Sequence, residues 1–155
     1  MSTVNKVKGS KAVEKAQYSA KWANTMTKWL ISREHQGGPK WRLINFAGPT
    51  GAESRGIVDL MAIRKDHSDH PEPLKKGDLF EIVLIQVKGG NARRPSVSDI
   101  DRLKFVKKYY HATEVVLASW KREKELKIER LLHDRWDEVK AAVIFGKAGK
   151  SGKLK

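Results

Sequence analysis

The chain has 155 residues and a formal net charge of +14, from 32 lysines and arginines against 18 aspartates and glutamates, and it has no cysteine. Disulfide bonds and cysteine-ligated zinc sites are therefore excluded. The sequence shows no long apolar span and no signal-peptide pattern, so we expect a soluble, cytoplasmic protein. The charge predicts a polyanionic partner, most simply nucleic acid, with a ribosome-like structural role or a membrane-surface role as alternatives.

The length is typical of one domain that can bury a hydrophobic core. We predict a flexible basic N-terminus over residues 1–9, a single domain over 10–146 and a disordered basic tail over 147–155. The tail is rich in glycine and lysine and would add non-specific affinity for a polyanion.

The first predicted element is a helix from about Ser10, its expected N-cap, to Glu34, because apolar residues recur at steps of three and four. Glu14 lies in its first turns, where a carboxylate also favours the positive end of the helix dipole. The expected inner face contains Val13, Ala16, Ala20, Ala23, Met26 and Leu30, widened by Tyr18, Trp22 and Trp29.

Residues 41–46 predict a first strand, followed by a loop of glycines and small polar residues over 47–56. Such a loop lets a phosphate backbone approach closely, and an ordinary connecting loop is an equal alternative. The candidate phosphate contacts are Thr50, Ser54 and Arg55. Glu53, in the same loop, competes with Glu14 as a second acid for a site that includes Asp59.

Two buried strands are predicted over 56–63 and 80–88, joined by a polar insert that turns at Gly77-Asp78. Gln86 and Lys88 project from the same side of the second strand, because strand side chains alternate faces, and Asp59 lies in the first. One interpretation is a structural Asp59–Lys88 ion pair. The other is a hydrolytic site in which Asp59, Gln86 and a backbone carbonyl bind Mg²⁺ and Lys88 acts on the attacking water.

Two short segments flank this second strand. His67 and His70 in the polar insert have a spacing that zinc sites use, but no third ligand is evident, so a solvated loop is favoured. The turn over 89–95, which follows Lys88, contains Arg93 and Arg94 as candidate nucleic-acid-binding residues.

The remaining pattern predicts a second helix from Ser96 or Ser98 to about His111, two strands over 114–120 and 126–131, and a last helix from Asp134. The inner face of the second helix would hold Ile100, Leu103, Val106 and Tyr110. Its outer cations, as further nucleic-acid contacts, are Lys104, Lys107 and Lys108. The last helix would turn Trp136, Val139 and Val143 inward. This order of elements indicates an α/β fold with a small mixed sheet flanked by helices.

Ile57-Val58-Asp59, followed one strand later by Gln86-Val87-Lys88, resembles the PD-(D/E)XK nuclease superfamily, whose fold is restriction-endonuclease-like. The resemblance spans about residues 8–131 and is strongest to archaeal-type Holliday junction resolvases, in which a Lys-Gly-Ser segment also precedes a helix bearing an acid. Two positions depart from the motif: Gln86 stands where the second acid is usual, and Val58 replaces the proline.

The resemblance implies a Mg²⁺-dependent endonuclease, with Mn²⁺ as a substitute, that cuts branched or duplex DNA as a homodimer without a small-molecule cofactor. It makes Asp59, Gln86 and the Val87 carbonyl metal ligands, Lys88 the catalytic lysine and Glu14 the helix acid. The neutral amide of Gln86 should weaken metal binding, since the site has one negative charge fewer. The alternatives are a restriction- or phage-type nuclease, a non-catalytic nucleic-acid-binding protein with this fold, and a basic structural protein.

Overall fold

The computed structural model of the chain describes residues 3–34, 38–48 and 56–146, with the backbone alone at 3–8 and 10. Within these ranges three helices and six strands follow in chain order: α1 Thr3–Arg33, β1 Arg42–Asn45, β2 Leu60–Lys65, β3 Phe80–Gly89, α2 Val97–Tyr109, β4 Glu114–Trp120, β5 Lys127–Leu132, β6 Arg135–Glu138 and α3 Ala141–Phe145. None of the described helices has the length and apolarity that a bilayer crossing requires.

The strands form one mixed sheet in the order β1 to β6. β3 and β4 are parallel, and α2 makes the crossover between them, while every other neighbouring pair is antiparallel. The predicted α/β class, with a small mixed sheet flanked by helices, is confirmed. β3 is one of the two central strands because its aliphatic run can be covered on both faces.

Helices cover the two faces of the sheet with separate apolar clusters. On one face, Ile31 of α1 and Phe145 of α3 pack with strand residues that include Leu60, Val83, Ile85, Val116 and Ala118. On the other face, Ile100 and Leu103 of α2 pack with Leu84, Val115 and Leu131. Odd and even positions of β3 therefore face different helices, which decides where its polar residues project.

α1 differs from its prediction at its start and in its buried face. It begins at Thr3, seven residues before Ser10. Ala23, Thr27 and Ile31 are buried, as is Asn24, whereas Val13 and Ala16 of the expected inner face are exposed. Residues 11–18 are exposed around the whole helix, because this half of α1 extends past the end of the sheet. Small side chains face the sheet, so the large rings lie outside.

The last predicted helix is wrong in its first part, because residues 135–138 form strand β6 and pair with β5 through a tight turn at His133, which has a φ of 54°. α3 begins only at Ala141 and has five residues. Trp136 and Val139 are half-buried, but Val143 is 44% exposed. Without β6, the backbone groups on the outer edge of β5 would have no strand to pair with. The short segment 135–138 can pair with them as a strand.

The second helix begins as predicted at Ser96, whose hydroxyl accepts from the Asp99 amide while Asp99 accepts from the Ser96 amide. Ile100 and Leu103 are buried as predicted, but Tyr110 is 59% exposed because the helix has already ended at Tyr109. β2 begins at Leu60 and not at residue 56, since Gly56 takes a φ of 123°, which strands do not use.

Candidate active site

A cavity of about 840 Å³ lies at one end of the sheet, between α1, the segment that leads into β2, the end of β3 and the first turn of α2. It brings together residues that are distant in sequence. Its polar lining includes Lys15, Asn24, Asp59, Gln86, Lys88, Asp99 and Arg102. The predicted trio Asp59, Gln86 and Lys88 therefore meets in one cavity.

Asp59 is held in place by its backbone and by its side chain. Its amide donates to the Ile85 carbonyl at 2.9 Å, and its carbonyl accepts from the Phe46 amide at 2.9 Å. Its carboxylate Oδ2 accepts from the Val87 amide at 2.8 Å. This hydrogen bond fixes the carboxylate against the backbone of β3.

The register of β2 and β3 places the three side chains on one face. Leu60 pairs with Ile85, and both belong to the cluster under α1. The next positions, Asp59 and Gln86, are therefore opposite each other and face the other way, and Lys88 follows Gln86 on the same side. The sheet geometry alone accounts for this arrangement.

Gln86 is 6% exposed, and its side-chain Oε1 has no hydrogen-bond partner in the described part of the chain. Leaving a buried amide oxygen unsatisfied costs about 1–3 kcal/mol, so such atoms call for a ligand or a function. Asn24, on α1, repeats the pattern: it is 7% exposed, and its Oδ1 also lacks a described partner. The cavity therefore offers buried oxygen atoms that a bound group could satisfy.

These oxygens fit a hard divalent cation, which prefers carboxylate, amide and carbonyl ligands. No cluster of three His, Cys, Asp or Glu side chains is present among the residues described. Counting described side chains alone, a cation at Asp59 would be held by one carboxylate together with neutral oxygens, and such a site binds metal more weakly than a site with two or three carboxylates.

Lys88 lies beside the first turn of α2. The pKa of Asp99 is lowered, first by the hydrogen bond from the Ser96 amide and further by the charges of Arg102 and Lys88. The Arg102 guanidinium is 3.7 Å from the Asp99 carboxylate. With Lys15, the described lining of the cavity has three cationic side chains against the two carboxylates of Asp59 and Asp99, a balance that favours a phosphate.

Gly89 sets the position of α1 over this cavity. A Cβ atom at Gly89 would be 2.3 Å from the Ser19 carbonyl oxygen, so only glycine allows α1 to pass so close to the end of β3. Gly90 follows with a φ of 61°, a conformation that glycine adopts without strain. The sequence indicates a flexible turn here, but the structure uses Gly89 as a packing contact.

Glu14 does not join the site. Its side chain is exposed, and the cavity is lined by Ala12 and Ala16 on the neighbouring turns. Two residues along a helix amount to roughly 200° of rotation, so Glu14 projects away from the cavity. Four further predicted positions fall outside the described residues: Thr50, Glu53, Ser54 and Arg55.

The predicted nucleic-acid-binding cations divide into two groups. Arg94 donates two hydrogen bonds of 3.0 Å to Glu129, and Lys104 pairs with Asp134 at 2.5 Å. Both side chains thus already have acidic partners. Arg93 and Lys108 are exposed and Lys107 is half-buried, and none of the three has an ion pair within the described part of the chain.

The polar insert between β2 and β3 has its own ordered contacts. Asp66 accepts hydrogen bonds from the Ser68 amide and hydroxyl at 2.8 and 2.6 Å. His70 Nε2 is 3.5 Å from the Asp66 carboxylate, with only 11% of the His70 side chain exposed. The insert is therefore less solvated at His70 than predicted, and its histidines belong to no described cluster of metal-binding side chains.

Several cavity residues are not identifiable from the sequence. Asn24 and Lys15 lie in a helical pattern that gives no sign of a site, and Asp99 and Arg102 look like an N-terminal cap and an ordinary surface cation. The capping pattern at Ser96 was the one usable signal, because it places the first turn of α2 directly after β3.

Comparisons of this chain with protein-family models, with curated proteins and with solved structures find no match.

Proposed function

We propose that this protein is a metal-dependent endonuclease that hydrolyses DNA phosphodiester bonds, with structure-selective cleavage of the Holliday junction resolvase kind as its specific form. The observation that carries the proposal is the buried Oε1 of Gln86, which lacks a described hydrogen-bond partner in the cavity that also contains Asp59 and Lys88. The net charge of +14 adds affinity for the substrate.

Each site residue has a defined role in this proposal. The Asp59 carboxylate and the Gln86 Oε1 would hold Mg²⁺ or Mn²⁺, together with the Val87 carbonyl. When bound, such a cation polarises a phosphoryl oxygen and lowers the pKa of coordinated water. Lys88 would orient the attacking water and offset the charge that develops on the phosphate. Lys15 and Arg102 would position the DNA backbone at the cavity mouth.

Two features of the fold support the proposal. The order helix, three strands, helix and strand, with a parallel step between β3 and β4, agrees with the restriction-endonuclease-like arrangement that the sequence resemblance implies. The motif residues on β3, Gln86 and Lys88, line the cavity at the end of that strand, and a substrate can enter there. Symmetric cutting of a four-way junction needs two sites related by a twofold axis, so we also propose a homodimer.

The test is cleavage of labelled four-way junction, duplex and single-stranded DNA in Mg²⁺, Mn²⁺ and EDTA. Asp59→Ala and Lys88→Ala would be compared with Lys75→Ala, an exposed lysine in the polar insert. We expect metal-dependent cutting by the wild type and Lys75→Ala and its loss in the other two variants. Paired symmetric cuts confined to junctions would support the resolvase form, and cutting of other DNA would limit the proposal to a nuclease.

A second candidate function is nucleic-acid binding without catalysis. The observation that favours it is the neutral amide at position 86, in a cavity without a cluster of three acidic or histidine ligands among the described residues. Tight binding to DNA with no cleavage, unchanged in Asp59→Ala and Lys88→Ala, would establish this function and exclude the nuclease.

A further inference from the structure

Three aromatic side chains form a connected row on the outer face of α1, which we call the aromatic stripe: Tyr18, Trp22 and Trp29. The ring centroids of Tyr18 and Trp22 are 6.2 Å apart, and those of Trp22 and Trp29 are 6.4 Å apart. Tyr18 is 50% exposed and Trp29 is 55% exposed. Aromatic side chains of this size are normally buried, so a row of them at the surface calls for a partner.

The stripe is on the outside because the opposite side of α1 packs on the sheet. Ala23, Thr27 and Ile31 are fully buried against it. At roughly 100° per residue, Tyr18, Trp22 and Trp29 all fall within about 40° of one another and nearly opposite these three. The stripe is therefore no part of either apolar cluster. The rings of Tyr18 and Trp29 are accessible to a ligand, and Trp22 between them is half-buried.

Cationic side chains border the stripe. α1 contains six lysines and one arginine but a single acidic residue, Glu14. Helical geometry places Lys21 and Lys28 along one edge of the stripe and Lys15 and Arg33 along the other. Such a surface combines flat apolar rings with positive charge on both sides, which is the composition of sites for single-stranded nucleic acid.

We propose that the aromatic stripe binds single-stranded nucleic acid by stacking unpaired bases on its rings, while the bordering cations neutralise phosphates. From Tyr18 to Trp29 the helix rises roughly 16 Å, the length of about five stacked bases. Lys15 also lines the cavity that contains Asp59, so a strand on the stripe would run towards the proposed active site. The binding itself needs neither metal nor Asp59 and goes beyond the nuclease proposal.

Charge and the width of the stripe distinguish this partner from the other two that an exposed aromatic face can bind. A second copy of the chain would bring the same cations of α1 against each other, in a protein of net charge +14. A membrane surface would need a broad apolar face, but the stripe is one ring wide. Nucleic acid satisfies both the rings and the cations.

The test measures binding of fluorescein-labelled (dT)15 to the full chain in EDTA at several salt concentrations. EDTA removes divalent metal, so the measurement does not depend on cleavage. Trp22→Ala and Trp29→Ala should each weaken binding by roughly 5- to 100-fold, since base stacking on one ring is a substantial part of the affinity. Trp29→Phe keeps a ring at this position, so it should retain most of the affinity that Trp29→Ala loses. The matched control is Phe105→Ala, which removes a ring that is 71% exposed on α2, and it should leave the dissociation constant unchanged.

Tryptophan fluorescence gives a second measurement, because (dT)15 should quench it in the wild type and less in Trp29→Phe. Three results would overturn the proposal: unchanged (dT)15 affinity in both alanine variants, sedimentation showing that these variants break a dimer, or sedimentation with anionic vesicles that depends on the stripe while (dT)15 does not bind. Failure of nuclease activity would leave the proposal standing, since the assay contains no metal.

Discussion

The Asp59 carboxylate accepts a hydrogen bond from the Val87 backbone amide at 2.8 Å, and Val87 is the middle residue of the Gln86-Val87-Lys88 sequence. One side chain thus joins the segment before β2 to the end of β3. The bond aims the carboxylate at the face that Gln86 and Lys88 share, so the site is organised by the strands themselves. Substitutions at Asp59 can separate the contribution of this hydrogen bond to stability from the contribution of the carboxylate charge to cleavage.

Asp59→Asn and Asp59→Ala separate the structural bond from the charge. Both should reduce Mg²⁺-dependent cleavage by about a hundredfold or more, since a neutral or absent side chain holds the cation poorly. Asn keeps an oxygen for the Val87 amide, so its free energy of unfolding should stay near the wild-type value. Ala should lose about 1–2 kcal/mol. Urea denaturation and the cleavage rate measure the two effects, and wild-type cleavage by Asp59→Asn would contradict the ligand role.

Gln86→Leu and Gln86→Glu test the amide oxygen that has no described hydrogen-bond partner. Leu should leave stability unchanged or raise it, because it removes a buried polar group, but it should abolish metal-dependent cleavage. Glu should bind Mg²⁺ more tightly than Gln, since it adds a negative charge, and should destabilise the metal-free protein through repulsion of Asp59.

The measurement for both Gln86 variants is the melting temperature with and without Mg²⁺, alongside the cleavage rate. We expect the shift on adding Mg²⁺ to follow the order Glu, Gln, Leu. A Gln86→Leu protein that cleaves DNA at the wild-type rate would show that this oxygen is not a ligand.

Gly89→Ala should destabilise the protein by about 1–3 kcal/mol, because the added methyl group would meet the Ser19 carbonyl at 2.3 Å and displace α1 or β3. The matched control is Gly9→Ala on α1, where an added Cβ would have no described atom within 4 Å beyond the neighbouring residues and backbone of the helix itself. That change should stabilise the protein by about 0.5–1 kcal/mol through helix propensity. Equal unfolding free energies for the two variants would refute the close contact.

The cavity provides a second measure of the Gly89→Ala change. Because Ser19 and Gly89 both line it, displacing α1 should also reduce cleavage or DNA binding in this variant. Gly9→Ala should leave both unchanged.

Arg94→Ala and Arg93→Ala should behave differently although the residues are adjacent. Burial alone would raise the pKa of Glu129, but the hydrogen bonds and charge of Arg94 hold it below the ordinary value. Arg94→Ala should therefore lose about 1 kcal/mol at pH 7, a modest value because the Arg94 side chain is 56% exposed. Arg93→Ala should keep its stability and lose DNA affinity with a smaller salt dependence.

The pH dependence of the Arg94→Ala effect has a definite sign. A carboxylate with a lowered pKa stabilises the folded protein fully above its ordinary pKa, roughly 4.3, and loses that contribution as the pH falls through its folded pKa. The stability difference between wild type and Arg94→Ala should thus be largest at neutral pH and shrink below about pH 4.3. Urea titrations at pH 7, 5 and 4 measure it, and a difference that grows towards acid would contradict the assignment.

Much of the fold and part of the candidate site could be predicted locally. The aliphatic run ending at Lys88 specifies a strand, and period-two alternation is enough to place Gln86 and Lys88 on one face. The Ser96–Asp99 capping pattern locates the start of α2. β6 was missed because its four residues become a strand only by pairing with β5, a contact that lies outside any local window.

The sequence by itself determined the α/β class, the positive charge and the shared face of Gln86 and Lys88, because these follow from composition and from strand periodicity. Only the tertiary structure decided that Glu14 projects away from the cavity, that Arg94 but not Arg93 has an ion pair among the described residues, and that Tyr18 and Trp29 are outside. The physical reason is that burial and pairing depend on what a neighbouring element places opposite each residue. For example, α1 passes close to Gly89 of β3, and this contact helps to determine which face of α1 is buried.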